Sequence, residues 1–173
     1  DIEVELVIES APSYNYKEED VADSRNVSIK MRYSFIAMPN NNFEPRLADQ
    51  SIGYFSEKIT DLSSDDATPY LDLIHKWDLQ KKNPELEISE PIKPITFWLE
   101  NTTPIKFRGY ITEGLLAWNE AFLKAGIKNA IEVKIQPDDA EWDAGDIRYN
   151  VLRWTSSPNP PFGGYGPSFV NPR

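Results

Sequence analysis

Histidine occurs once in these 173 residues, at position 75, and cysteine does not occur. Zinc is usually held by several His or Cys side chains, so a zinc site or a catalytic triad built within this chain starts with one imidazole and no thiolate. His75 lies between Ile74 and Lys76-Trp77, a setting that reads as a structural or surface histidine. The acids are more numerous. Asp138, Asp139, Glu141, Asp143 and Asp146 fall in the run DDAEWDAGDIRY, hard oxygen ligands of the kind calcium takes. Their spacing is not that of an EF-hand loop, and the run reads as a solvated loop before a strand, with Asp146 set to pair Arg148 or Arg153. The run DLSSDD, Asp61 to Asp66, reads the same way. A carboxylate pair for glycoside cleavage needs a separation of about 5 to 9 Å, which spacing along a chain does not specify. Exposed aromatics such as Trp142, Trp154 and Tyr165 could form a platform for a sugar or a peptide, although Trp154 in a strand also suits a core. The glycine-rich FGGYGP lacks the following lysine and helix of a phosphate loop. Asn26-Val27-Ser28 and Asn101-Thr102-Thr103 match the glycosylation sequon.

Composition narrows the classes further. The formal charge is −10 and the pI near 4.6, so binding a phosphate backbone would work against the overall field. At 40% apolar and 12% aromatic residues the chain can fill a core, in one ordinary domain or two small ones. No apolar run approaches the roughly 20 residues of a membrane-spanning helix. The first residue is Asp1 rather than Met, which reads as a start after processing or as an excised piece, so the lack of a signal-like segment does not bear on export. The arginine at position 173 is what a trypsin-like cut leaves.

The elements that must position these residues follow from periodicity. DIEVELVIES alternates Ile2, Val4, Leu6 and Ile8 against Glu3, Glu5 and Val7, a strand with one buried face. APSYNYKEEDVADSRN predicts a polar loop, and Val27, Ile29, Met31 and Tyr33 alternate in a second strand that Pro39 ends. A third strand is expected around Ile52 to Ile59. YLDLIHKWDLQKK carries both a helical spacing, through Leu71, Ile74 and Trp77, and a strand-like alternation in IHKWDL, which favours a strand at its C-terminal end. The three prolines of NPELEISEPIKP predict a connector, with a module boundary near Pro94. ITFWLE then reads as a strand.

A helix follows, with Thr112 as its N-cap and Glu113 in the first turn, where an acid suits the positive end of the macrodipole. Leu115, Trp118, Phe122 and Ala125 recur on one face, Gly126 takes the left-handed position past the end, and Ile127 makes the apolar contact that accompanies it. AIEVKI and DIRYNVLRW predict two more strands, the latter with Ile147, Tyr149 and Val151 on one side. A strand, helix, strand, strand order implies a mixed sheet with the helix on one face, hence an α+β chain. SSPNPPFGGYGPSF predicts a closing loop.

The run EPIKPITFWLENTTPIKFRGYITEGLLAWNEAFLKAGIKNAIEVK, with EWDAGDIRYNVLRW and GPSFVNPR after it, resembles the start of the catalytic domain in large bacterial zinc-dependent metalloproteases of the metzincin-like type. Upstream, FEPRLADQSIGYFSEKITDL and HKWDLQKKNPELEISEPIKPI resemble the β-rich module that precedes that domain, a domain of unknown function. The resemblance implies a β-rich module over 1–90 and, over 91–173, the upper half of a metzincin-like (zincin) catalytic domain. It further implies that the intact protein is a secreted or periplasmic zinc metallopeptidase, a hydrolase of peptide bonds. The zinc ligands would lie on a later His-Glu-x-x-His helix, where two histidines one turn apart face the metal and the glutamate polarises its water. Residues 1–173 hold none of that motif, so no catalytic residue is expected here and this chain alone is expected to be inactive. The partners implied are the remaining catalytic portion of the same protein and a protein or peptide substrate. Tyr165, Gly166, Ser168 and Phe169 are the substrate-cleft candidates, since they lead toward the edge strand along which an extended substrate could pair. The competing reading is a noncatalytic surface module that holds a glycan or a peptide on exposed aromatics, and an acid-pair glycosidase is a third.

Overall fold

The computed structural model describes residues 2–9, 26–33, 35, 37, 40, 43–156 and 163–166. The polar loop expected between the first two strands and most of the closing loop lie outside them. Two compact units divide the chain, residues 1–42 and 43–173.

The first unit is an antiparallel pair, β1 (Ile2–Glu9) and β2 (Asn26–Tyr33). The alternation sorts as expected, with Ile2 opposite Tyr33, Val4 opposite Met31 and Leu6 opposite Ile29, while Glu3 lies opposite Arg32 and Glu5 opposite Lys30 on the other face; the apolar face is not the buried one expected, since Ile2, Leu6, Met31 and Tyr33 are all exposed. Arg32 donates to the Glu3 carboxylate from Nε at 3.1 Å. Both groups are exposed, which limits the pair to about 1 kcal/mol or less.

In the second unit β3 (Ser56–Thr60) and β4 (Tyr70–Ile74) form a hairpin, with Lys58 opposite Asp72 and Ile59 opposite Leu71. Residues 46–48 lie along the other side of β4, where Ala48 N–H donates to Asp72 O at 2.7 Å and Ile74 N–H to Arg46 O at 2.9 Å. The strand in YLDLIHKWDLQKK therefore occupies the N-terminal end of that segment, not the C-terminal end. Pairing with Ser56–Thr60 decides this, because the alternation in IHKWDL has no ladder to join. The proline-bearing connector contributes single bridges, Lys81 with Pro91 and Ser89 with Ile127.

β5 (Ile95–Leu99), α1 (Ile105–Leu116), α2 (Trp118–Lys124), β6 (Ile131–Ile135) and β7 (Asn150–Leu152) complete the unit. The three strands order as β6-β5-β7, and β5 runs parallel to both neighbours. The expected mixed sheet is thus a parallel one among the described strands. A helical crossover carries the chain from β5 to β6, and the 136–149 connection returns it past β5 to the far side. As the central strand, β5 supplies the core: Leu99 is fully buried, and Ile95, Ala130 and Ile131 are buried around it. DIRYNVLRW forms only the short β7, because Asp143 to Tyr149 are spent in turns closed by Asp146 N–H on Asp143 O at 2.9 Å and Tyr149 N–H on Asp146 O at 3.0 Å.

The helix begins earlier than expected, with Pro104 as N-cap and no side-chain cap bond. Thr112 and Glu113 therefore lie inside α1. Thr103-Pro104 is the stop-and-start signal that counted, since proline's fixed φ suits a helix entrance, while Gly109 and Gly114 weaken the helical pattern within α1. The inward face also differs: Leu115, Asn119 and Phe122 are half-buried, whereas Trp118 is 63% exposed and Ala125 is exposed. The helix end agrees with expectation. Gly126 has φ 84°, its N–H donates to Leu123 O at 2.9 Å, and Ile127 N–H reaches Phe122 O at 2.9 Å, the paired bonds of a Schellman cap.

Candidate functional site

In open parallel sheets ligands gather beyond the carboxyl ends of the strands. Here that end is occupied by a polar network drawn from all three strands. Glu100, directly after β5, is buried and donates its own N–H to Leu152 O at 3.1 Å. Its carboxylate accepts Arg153 Nε at 3.1 Å and Thr102 Oγ1 at 2.8 Å. Gln136, directly after β6, is also buried; its Nε2 donates to Trp142 O at 3.0 Å and its Oε1 accepts Asn101 N–H at 3.4 Å. Arg108, one turn into α1, reaches back to Thr103 O at 2.8 Å and Asn101 O at 2.7 Å. These bonds satisfy the polar groups that the strand ends bury, as low-dielectric surroundings require. The network holds Arg153 and Trp154 at the surface, where Trp154 stacks on Phe107 with ring centroids 5.0 Å apart.

On one face of the sheet the 136–149 connection lays Trp142 edge-on to Trp98 at 5.4 Å and stacks it on Tyr149 at 4.0 Å. Trp142 is thereby half-buried in packing, and Trp154 is stacked on α1, so the exposed platform expected of Trp142, Trp154 and Tyr165 is not assembled from the first two. Lys134 Nζ lies 5.6 Å over Trp98 and bonds Glu132 at 2.6 Å. With Thr96 Oγ1 donating as well, these partners hold the Glu132 carboxyl below its ordinary range.

His75 follows β4. Its Nε2 is shielded from solvent without a hydrogen-bond partner and lies 3.9 Å from a Glu57 oxygen. This is one imidazole beside one carboxylate, and among the described residues no three His, Cys, Asp or Glu side chains converge in a way that would hold a metal ion. Three residues of the acidic run have protein partners. Asp138 accepts Asn101 Nδ2 at 3.3 Å, Asp143 accepts Gly145 N–H at 2.7 Å, and Asp146 receives the Arg148 guanidinium and backbone N–H at 3.0 Å. Those bonds from Arg148 lower the Asp146 carboxyl to about 2. Asp61 is likewise lowered by the hydroxyl and N–H of Ser63. The expected pairing of Asp146 with Arg148 is present, and Arg153 serves Glu100 instead.

Of the cleft candidates, Tyr165 is 76% exposed and Gly166 is exposed, outside regular structure. Ser168 and Phe169 lie outside the described residues. The residues that sequence reasoning passed over are Glu100, Arg108, Asn119 and Gln136. Asn119 accepts Ile131 N–H at 2.8 Å and donates to Ile131 O at 3.0 Å, so its amide pairs with the first residue of β6 as a neighbouring strand would. Its signal was present, an asparagine between Leu115 and Phe122 on the helical inward spacing.

Among the described residues no helix is long and apolar enough to cross a membrane. No curated protein and no solved structure matches this chain. Residues 1–82, which take in the β1–β2 pair and the β3–β4 hairpin, match the family model described as a domain of unknown function, DUF5117.

Proposed function

We propose that residues 1–173 are the N-terminal portion of a secreted or periplasmic zinc-dependent metallopeptidase of the metzincin-like type, with a β-rich module over 1–90 and the first half of the catalytic domain over 91–173. The observation that carries this reading is the β6-β5-β7 order: three parallel strands joined by one helical crossover. It is the strand, helix, strand, strand unit that the resemblance expects of the upper half of such a protease. On this reading zinc binds outside residues 1–173. The residues seen here supply the frame: Leu99 and Ile131 anchor the sheet, and the Glu100, Arg108 and Gln136 network fixes the strand ends. Tyr165 and Gly166 sit beyond β7 and lead toward the cleft. The 173-residue chain alone does not cleave peptides.

The test is zinc content and hydrolysis of an unstructured protein substrate by the product of the complete reading frame that encodes this chain, beside the chain alone. About one zinc per molecule and chelator-sensitive cleavage by the complete product supports the reading. A complete product with neither zinc nor cleavage overturns it. A second reading, a noncatalytic glycan- or peptide-binding module, draws on Tyr110 and Trp118, which stand 75% and 63% exposed on the helices. Saturable polysaccharide binding that disappears in Trp118→Ala would favour it.

A further inference from the structure

The outer side of β6 is an unusual edge. Ile95 N–H donates to Ala130 O, and Gln136 N–H to Leu99 O, so residues 130, 132, 134 and 136 spend their backbone groups on β5. Ile131, Val133 and Ile135 therefore direct theirs outward. Asn119 takes both groups of Ile131. Among the described residues Val133 and Ile135 remain as two successive sites on an open ladder, the arrangement to which an extended chain adds.

Beside this edge the helices leave a groove. A concavity of about 510 Å³ reaches from Pro94 and Asn129 to Val133, and one of about 730 Å³ continues from Leu116 to Ile135 and Arg108. Leu116 lines both. The second concavity is lined by the apolar Leu116, Ala117 and Ile135 together with Glu113 and Glu120. Both glutamates are exposed, and among the described residues neither has an ion-pair partner. The one cation in the groove, Arg108, is committed to the carbonyls of Thr103 and Asn101.

We propose that this groove binds an extended, basic segment of a partner polypeptide by strand addition to Val133 and Ile135, with apolar side chains against Leu116 and Ile135 and Lys or Arg side chains toward Glu113 and Glu120. Charge selects this occupant. A second copy of the chain, joined edge to edge through β6, would bring together two molecules that each carry −10, and Lys134, the cation of that strand, is already spent on Glu132. An acidic segment meets the same repulsion. The proposal does not depend on the peptidase reading, since it uses only groups of this chain.

The probe is a capped hexapeptide of alternating Val and Lys, titrated into the 173-residue chain while the amide signals of Val133 and Ile135 are followed by NMR. The expected result is saturable binding that shifts both amides. A Val/Glu peptide of the same length should not bind. A Val/Lys peptide N-methylated at alternate residues, which keeps its charge but cannot form the ladder, should bind about tenfold more weakly or not at all. The double variant Glu113→Lys, Glu120→Lys should lose about tenfold in affinity with its urea midpoint unchanged. The proposal is overturned if neither amide shifts, if the N-methylated peptide binds as well as the parent, or if sedimentation shows the same amides buried in a dimer of this chain.

Discussion

Gly126→Ala probes the joint between the helices and the connector that packs on them. The backbone there has φ 84°, which costs a residue with a side chain about 1–2 kcal/mol. A Cβ at that position would stand 2.6 Å from Glu87 O and 2.9 Å from Lys81 Nζ. Glu87 O is backbone and cannot swing aside, so the 81–89 segment must shift. That shift disturbs the Lys81 bonds to Leu86 O at 3.1 Å and Glu87 O at 2.8 Å, and the Ser89 N–H bond to Gly126 O at 3.1 Å. The exposed lysine bonds count for little, and the backbone bond for about 1 kcal/mol. The sum is about 2–4 kcal/mol. All five tryptophans, Trp77, Trp98, Trp118, Trp142 and Trp154, lie in the 43–173 unit, so urea unfolding followed by tryptophan fluorescence reports that unit. With a slope of about 2 kcal/mol/M, the midpoint should fall by about 1–2 M. Gly109→Ala is the internal contrast, because its Cβ meets nothing within 4 Å and lies inside α1; it should leave stability unchanged or raise it by up to about 1 kcal/mol. A Gly126→Ala change within about 0.5 kcal/mol of the parent would refute the reasoning.

Three further outcomes follow from the same structure. Leu99→Ala empties the fully buried centre of β5 and should cost about 2–5 kcal/mol in the same assay. Asn119→Ala leaves both backbone groups of Ile131 without their partner; it should cost about 1–3 kcal/mol and speed hydrogen exchange at the Ile131 amide. The Asp146 carboxyl should titrate near 2 by NMR and return toward the ordinary 3.8 in Arg148→Ala. Because its folded value lies below the unfolded one, its contribution to stability is complete above about pH 4 and is lost as the pH falls toward 2.

Local pattern carried those features whose causes are local. The β1–β2 faces follow from alternation in Ile2 to Ile8 and Val27 to Tyr33, because the strand period is set by the backbone alone. The Schellman end at Gly126 is legible for the same reason: a left-handed residue after a helix favours glycine whatever surrounds it. Asp146 and Arg148, two positions apart, needed only a turn to meet. The strand in YLDLIHKWDLQKK was not legible, since its position depends on what Ser56–Thr60 pair with. Nor was the helix start, where Thr103-Pro104 outweighed Thr112, or the exposure of Trp118 on a helix face whose neighbours are half-buried.

The site divides along the same line. That one histidine and no cysteine leave little from which to build zinc coordination was determined by composition before any fold. That Asp138 meets Asn101, on a separate element, was decided by the loop's tertiary course, whereas Asp143 and Asp146 turn to residues two positions on. The meeting of Glu100 with Arg153 and of Asn119 with Ile131 joins residues on separate elements, and only the β6-β5-β7 order brings them together. Sequence alone thus determined the alternating faces, the glycine cap and the scarcity of metal ligands, because each depends on neighbours along the chain. The parallel sheet, the buried network at its carboxyl end and the open edge of β6 belong to the tertiary structure, because strand order sets which backbone groups are spent and which remain.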